Sequence, residues 1–214
     1  MNVSAVTWRE RTFYARLAQV PGAPHSSLTQ LVQGVWEAEP AQARAILRRR
    51  ILTTDALSPM NWGMVKTAAQ RVSVVAAVAP AEGWRLVSFV NEYRIVEVSG
   101  EPMEAARGLA GAARREGELY RRDRPVGCVL QGSDGALLGG AANTNRDNRT
   151  CHAEVNLLQG LSGAVPAGST LFTTLEPCRM CQGMILAVAP DLRVRYLEAD
   201  GVPEVPWTLD CRPV

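Results

Sequence analysis

Two short stretches of this chain constrain its fold more than any others, because their chemistry requires them to meet. Cys151-His152-Ala153-Glu154 reads His-x-Glu, and Pro177-Cys178-Arg179-Met180-Cys181 reads Pro-Cys-x-x-Cys. Together they offer one imidazole, two thiols and one carboxylate, the donor set of a metal site with its own acid and base. Positions three apart share a helix face, so Cys178 and Cys181 can hold one ion. A helix opened by Pro177 sets both thiols near its positive end, which favours the thiolate. His152 and Glu154 are two apart and would diverge by about 200° on a regular helix. They serve one site only where His152 stands at the helix start, so the motif predicts a helix beginning at about residue 152.

Three protein ligands leave one tetrahedral position for water, the mark of a catalytic rather than a structural zinc. Two thiolates cancel the ion's formal charge, so a base beside the water is needed, and Glu154 is the candidate. The chemistry that follows is hydrolytic. Glu154 takes a proton from water, the oxygen attacks C4 of a cytosine-type or C6 of an adenine-type ring, and Glu154 returns the proton as ammonia leaves. Each half of the pattern is weak alone, since His-x-Glu is common and Cys-x-x-Cys also serves redox pairs. Their conjunction is the signature of the zinc deaminases. Two other readings stay open: a non-catalytic, zinc-stabilised binding or scaffold protein, with Cys151 as fourth ligand, and a Cys-x-x-Cys redox protein.

The chain of 214 residues can bury a core and hold one domain or two, and its 47% apolar and 21% charged content is that of a globular protein. No apolar run reaches membrane-spanning length. Arg9, Glu10 and Arg11 stand where a signal peptide needs apolar residues, and five cysteines, an odd number, fit a reducing compartment. These features read as a cytoplasmic protein with no membrane partner. The net charge of +2 decides nothing about nucleic acid, although all the basic residues but Lys66 are arginine.

Residues 1 to about 71 read as helical. Trp8–Val20 carries apolar residues at mixed three-to-four spacing and ends at Pro21-Gly22-Ala23-Pro24. Ser26 or Ser27 caps a second helix with Leu28, Leu31, Val32, Val35 and Trp36 on one face. A third runs from Pro40 to Arg48-Arg49-Arg50, a triplet that either complements the helix dipole or binds phosphate. Val72–Ala79, Trp84–Val90 and Tyr93–Val98 read as strands. Four of the five tryptophans precede residue 100, which points to a separate small core there. The boundary falls at Ser99-Gly100-Glu101-Pro102, dividing the chain into an N-terminal α+β region, 1–99, and a second domain, 100–214. In the latter, Ser99 is the expected cap of a helix from Pro102. Asp134-Gly135 joins the strands Val126–Gln131 and Ala136–Ala142 as a hairpin. Helix, strand, helix and strand follow to residue 199, giving α-β-β-α-β-α-β, a sheet with helices packed on it.

These motifs resemble the cytidine/deoxycytidylate deaminase superfamily over roughly residues 101–199. Pro125–Leu130 looks like that family's first strand and Gly139–Asn143 like the end of its second. Thr174–Cys181 is especially similar to the tRNA-adenosine and guanine deaminases. The resemblance implies a three-layer α/β/α sandwich, zinc (Zn2+) on His152, Cys178 and Cys181, proton shuttling by Glu154, and frequent homo-oligomers. It carries Asn143 and Ala153 over as substrate contacts, with Asn145 and Asn148 close by. The substrate is then a nucleobase, free, in a nucleoside or nucleotide, or in nucleic acid. Arg114, Arg115, Arg121, Arg122, Arg124, Arg146 and Arg149 read either as flanking its pocket, as contacts to nucleic acid, or as solvated charges. Asp200–Val214 is too short for the helices that follow the fourth strand in the tRNA-acting branch. A fifth strand, near Val205–Leu209, is expected to run antiparallel to the fourth.

Overall fold

The computed structural model describes residues 1–18, 20–121, 123–202 and 204–214. It has two five-stranded sheets. The first half opens on a hairpin, β1 (Asn2–Trp8) and β2 (Arg11–Leu17), where the sequence pattern suggested a helix. Its turn is Arg9-Glu10, and Arg9 takes a left-handed φ of 55°. Helix α1 (Ser27–Ala38) begins in a capping box between Ser26 and Thr29, and its Leu28 amide donates to the buried Asp55 carboxylate at 2.7 Å. The third expected helix shrinks to α2 (Ala43–Leu47), with Arg48 as its C-cap, and Arg50 instead begins β3 (Arg50–Thr53). Helix α3 (Pro59–Ala68), capped by Ser58, leads to β4 (Arg71–Val74), and β5 (Arg85–Leu86) completes the order β4-β3-β1-β2-β5. The strands expected at Val72–Ala79 and Trp84–Val90 are thus short, and Tyr93–Val98 reduces to one bridge, Val96 to Gly140.

Helix α4 (Pro102–Arg115) is capped by Glu101, whose carboxylate accepts from the Glu104 amide, rather than by Ser99. After it come β6 (Gly127–Gln131), β7 (Leu137–Ala142), α5 (Ala153–Gly160), β8 (Thr170–Leu175), α6 (Arg179–Val188), β9 (Arg193–Glu198) and β10 (Cys211–Pro213), in the sheet order β10-β9-β8-β6-β7. Alternation along β6 makes the layers. Val129 packs with Met103 and Ala106 of α4, while Cys128 and Leu130 join Leu157 of α5 and Met184 of α6. The result is an α/β/α sandwich with an α+β region added before it. The fifth strand lies later than expected and runs parallel to β9, not antiparallel, with residues 199–210 as crossover.

The expected separate N-terminal core is not separate. Leu28, Met60 and Met64 belong to the same buried cluster as Leu157, Met180 and Met184. The join is a helix crossing. A methyl group on Gly63 of α3 would lie 2.4 Å from the Arg179 carbonyl oxygen, and one on Gly183 of α6 would lie 2.2 Å from that of Pro59. Backbone therefore touches backbone where α3 meets α6. A polar joint lies beside it: Gln159 of α5 bonds Gln33 of α1 at 3.0 Å, and its amide nitrogen lies 3.4 Å from His25 Nδ1. Among the described residues no helix is long and apolar enough to cross a membrane.

The crossing and the polar joint can each be tested. Gly183→Ala forces the helices apart and should cost about 1–3 kcal/mol, as overpacking does. A thermal melt reads this as a drop of at least about 2 °C; an unchanged midpoint would show that the crossing is not tight. Burial lowers the His25 pKa from its ordinary 6.5. The unfolded chain then takes up this proton first, so stability is intact above about pH 6.5 and falls as pH drops below it. In urea titrations at pH 7.5 and 5.5, His25→Gln should lose less stability on acidification than the parent.

Candidate active site

The first turns of α5 and α6 face each other at the carboxyl end of β8. His152 is the N-cap of α5, with extended backbone at φ −74° and ψ 161°. That placement lets its ring and the Glu154 side chain turn to the same side, as the two-residue spacing requires. Cys178 is likewise the N-cap of α6, which starts at Arg179, two residues later than a helix opened by Pro177, and Cys181 lies in the first turn. The ligand atoms converge. Cys178 Sγ lies 3.6 Å from Cys181 Sγ, and His152 Nδ1 lies 3.5 and 3.6 Å from the two sulfurs. A tetrahedral zinc with metal–sulfur bonds of about 2.3 Å sets its sulfurs about 3.8 Å apart, so this triangle has the right size. Among the described residues this is the one group of three such side chains gathered closely enough to hold a metal.

Glu154 is buried at 3% exposure, and its Oε2 accepts from Cys181 Sγ at 3.2 Å. Burial raises its carboxyl above the ordinary range, the charge on Cys178 adds to this, and His152 opposes it. The hydrogen-bonded contact with Cys181 holds Cys178 well below the usual thiol range, against burial and with help from His152. Burial, then the bond to Cys178, pushes Cys181 well up. Burial works against a charged imidazole at His152, but the Cys178 charge outweighs it and brings the group to about 9.

A cleft of about 170 Å³ opens over this group, with His152, Glu154 and Cys178 at its floor. Asn143 lines it, yet its amide is engaged with the wall: Oδ1 accepts from the Val126 amide at 2.9 Å and Nδ2 donates to the Arg124 carbonyl at 3.0 Å. Asn145 accepts from the Tyr120 amide and donates to Asp123. Asn148 reaches away to the Gln33 carbonyl of α1. Ala153 is fully buried at the first position of α5. Of the arginines expected around the pocket, only Arg124 lines the cleft among the described residues, and Arg122 lies outside them. Arg149 pairs with Asp123 and stacks on Tyr120, Arg146 pairs with Asp147, Arg121 lies over Tyr120, and Arg114 and Arg115 end α4.

Two rim residues escaped the sequence reading. Arg124 and Asp200 form an ion pair, and the Asp200 amide donates to Glu176 at 2.9 Å. Glu176 could have been noticed, because it directly precedes the Pro-Cys-x-x-Cys run. Asp200 carries no local signal, since only the return of the chain after β9 brings it to the cleft.

Known proteins match both regions. Residues 117–203 match the family model "Bd3614-like deaminase" and residues 5–77 match "Bd3614-like deaminase N-terminal". A tRNA(Ile)-lysidine synthase of Deinococcus radiodurans is 39% identical over 92 residues, 40% of this chain and 16% of that protein. A tRNA-specific adenosine deaminase of Haemophilus influenzae is 34% identical over 96 residues, 42% of this chain and 53% of that one. The chain thus spans about half the length of the Haemophilus relative and under a fifth of the Deinococcus enzymes. Among solved structures, one from a study of A-to-I editing by wobble-position tRNA deaminases is 29% identical, covering 46% of this chain and 70% of its own, with a TM-score of 0.34. Acinetobacter baumannii RibD is 28% identical over 45% of this chain and 26% of its own, also at 0.34. Taken with the two motifs, the sequence matches establish that the chain belongs to the cytidine deaminase-like superfamily.

Proposed function

We propose that the chain is a zinc-dependent hydrolase that replaces the exocyclic amine of a nucleobase by oxygen and releases ammonia. His152, Cys178 and Cys181 are the metal ligands and Glu154 is the proton carrier. The domain at 100–214 carries the reaction, and the α+β region at 1–99 braces it. The observation behind this reading is the ligand triangle of zinc dimensions, with Glu154 at its edge and a base-sized cleft above it. The matches to deaminases, one of them named tRNA-specific, support the reaction class and a substrate within nucleic acid.

Zinc bound there would supply a nucleophilic hydroxide near neutral pH. The rest falls to the chain's own groups. Glu154 accepts the proton that water gives up as its oxygen bonds to the ring carbon. It passes that proton to the ring nitrogen. It then takes the second proton of the same water from the new hydroxyl and gives it to the departing amine as the C–N bond breaks, so one water is consumed for each ammonia released. Burial raises this carboxyl, which makes it a stronger proton acceptor than an exposed carboxylate. The Arg124–Val126 wall, held by Asn143, closes one side of the cleft, and Asn143 and Ala153 are the proposed contacts to the substrate.

The test is ammonia release screened over free bases, nucleosides, nucleotides and oligonucleotides. Glu154→Gln should lower turnover at least about 10²-fold, the usual contribution of a positioned proton carrier. Parental turnover in that variant sinks the mechanism. Metal analysis of protein purified without added zinc should give close to one zinc per chain, and Cys178→Ser or Cys181→Ser should lose most of it. A metal-free parent with a reversible Cys178–Cys181 disulfide would favour the redox reading instead.

A further inference from the structure

The cleft does not end at the ligand triangle. A second depression, about 290 Å³, shares Cys178 and Asp200 with it and continues over Arg179 to Lys66 and Thr67 at the end of α3. A third, about 400 Å³, shares Lys66 and runs on past Trp62 to Arg71 and Arg50. The three make one track, from His152 across α3 to the β4–β3 edge of the N-terminal sheet.

Beyond the cleft this track is cationic. Among the described residues, none of Arg50, Lys66, Arg71 and Arg179 pairs with a carboxylate. Asp200 is the one acidic residue lining the second and third depressions, and Arg124 neutralises it. Arg50 and Arg71 stand opposite each other in the β3–β4 register. Like charges side by side on neighbouring strands repel, and an anion between them reverses the sign. Lys66, the only lysine in the chain, lies 5.4 Å from the centre of the half-buried Trp62 ring.

We propose that this track holds the sugar–phosphate backbone of a single-stranded nucleic acid whose target base enters the cleft. The proposal rests on the deaminase reading above and gives its substrate class. A cleft of about 170 Å³ takes one base and no duplex, so the target must arrive unpaired or extruded. A mononucleotide would fill the cleft and its neighbour, leaving Arg50 and Arg71 beyond reach in the third depression. A strand continues to them, with phosphates for the unpaired cations. The track thereby gives the N-terminal region a part in binding.

The test uses the full chain and fluorescein-labelled 12-nucleotide RNA and DNA strands, followed by anisotropy from 50 to 200 mM salt. The Arg50→Ala/Lys66→Ala/Arg71→Ala variant should bind at least 10-fold more weakly with an unchanged melting temperature. Its dependence of log affinity on log salt should flatten by about 2, at roughly 0.7 for each single-strand phosphate that the variant no longer neutralises. A duplex of the same sequence should bind the parent more weakly than the strand. Equal binding by parent and variant overturns the proposal, as does a parent that binds no strand at 50 mM salt. So does a mononucleotide that binds as tightly as the strand and is weakened equally in the variant. The two readings fail separately. Strand binding that survives with no ammonia released from any substrate removes the deaminase reading. Ammonia released equally by parent and variant, with no strand bound, removes only the track.

Discussion

Everything near the site depends on how closely α3 and α6 approach. Helices normally stand 8–10 Å apart, because side chains fill the space between them. Here Gly63 and Gly183 remove the side chains at the crossing, so main chain meets main chain, and Met60, Met64, Met180 and Met184 fill the core nearby. The contact on Gly63 is the Arg179–Met180 backbone, which lies between the two cysteines. An element from the first half of the chain therefore fixes the turn that carries two of the three metal-ligand candidates. This explains why the apolar residues of both halves form one cluster. It also makes the N-terminal region a structural requirement of the site rather than an appendage.

The site itself is an electrostatic problem that the fold solves by neutrality. A single unpaired buried charge costs several kcal/mol. Neighbouring groups favour the thiolate at Cys178 and the charged ring at His152, while burial draws Cys181 and Glu154 toward their neutral forms, so the favoured charges oppose each other. A zinc ion that takes the triangle displaces the imidazole proton and the second thiol proton. Two positive charges enter and two protons leave, so the buried charge is unchanged. Glu154 is the group left with a proton position to exchange, which is the property its proposed role requires.

The second half of the chain could be read from sequence because its signals are local. Asp134-Gly135 marks a hairpin, and the His-x-Glu and Pro-Cys-x-x-Cys spacings each demand a helix start at the ligand, where α5 and α6 begin. The first half hid its hairpin. Arg9 fills the left-handed turn position that glycine or asparagine would have advertised, and its guanidinium lies 4.4 Å from the Trp8 ring centre. Without that cue, Trp8, Phe13 and Leu17 fit a helical period as well as a strand. The glycines of the crossing were equally silent, since Gly63 and Gly183 mean something only once α3 and α6 are known to touch. The rim pair Arg124–Asp200 and the track past Lys66 depend on the same long-range placement.

The direction of β10 follows from that placement too. A parallel neighbour needs a crossover, and in most sheets a helix supplies it. Among the described residues, 199–202 and 204–210, there is none. Instead the rings of Trp207 and Trp62 of α3 meet at nearly right angles, with centres 5.1 Å apart, and the Trp207 indole donates to Gln182 of α6 at 3.4 Å. An edge-to-face pair of this kind adds about 0.5–1.5 kcal/mol beyond the area it buries. The α3–α6 layer thus gives an irregular crossover a surface to lie on, and the chain reaches the far edge of the sheet without a helix of its own. An antiparallel return would have turned tightly after β9, sparing residues 199–210 the excursion that carries Trp207 to Trp62. The same α3 that braces the metal-ligand helix therefore also underlies the path by which the last strand joins the sheet.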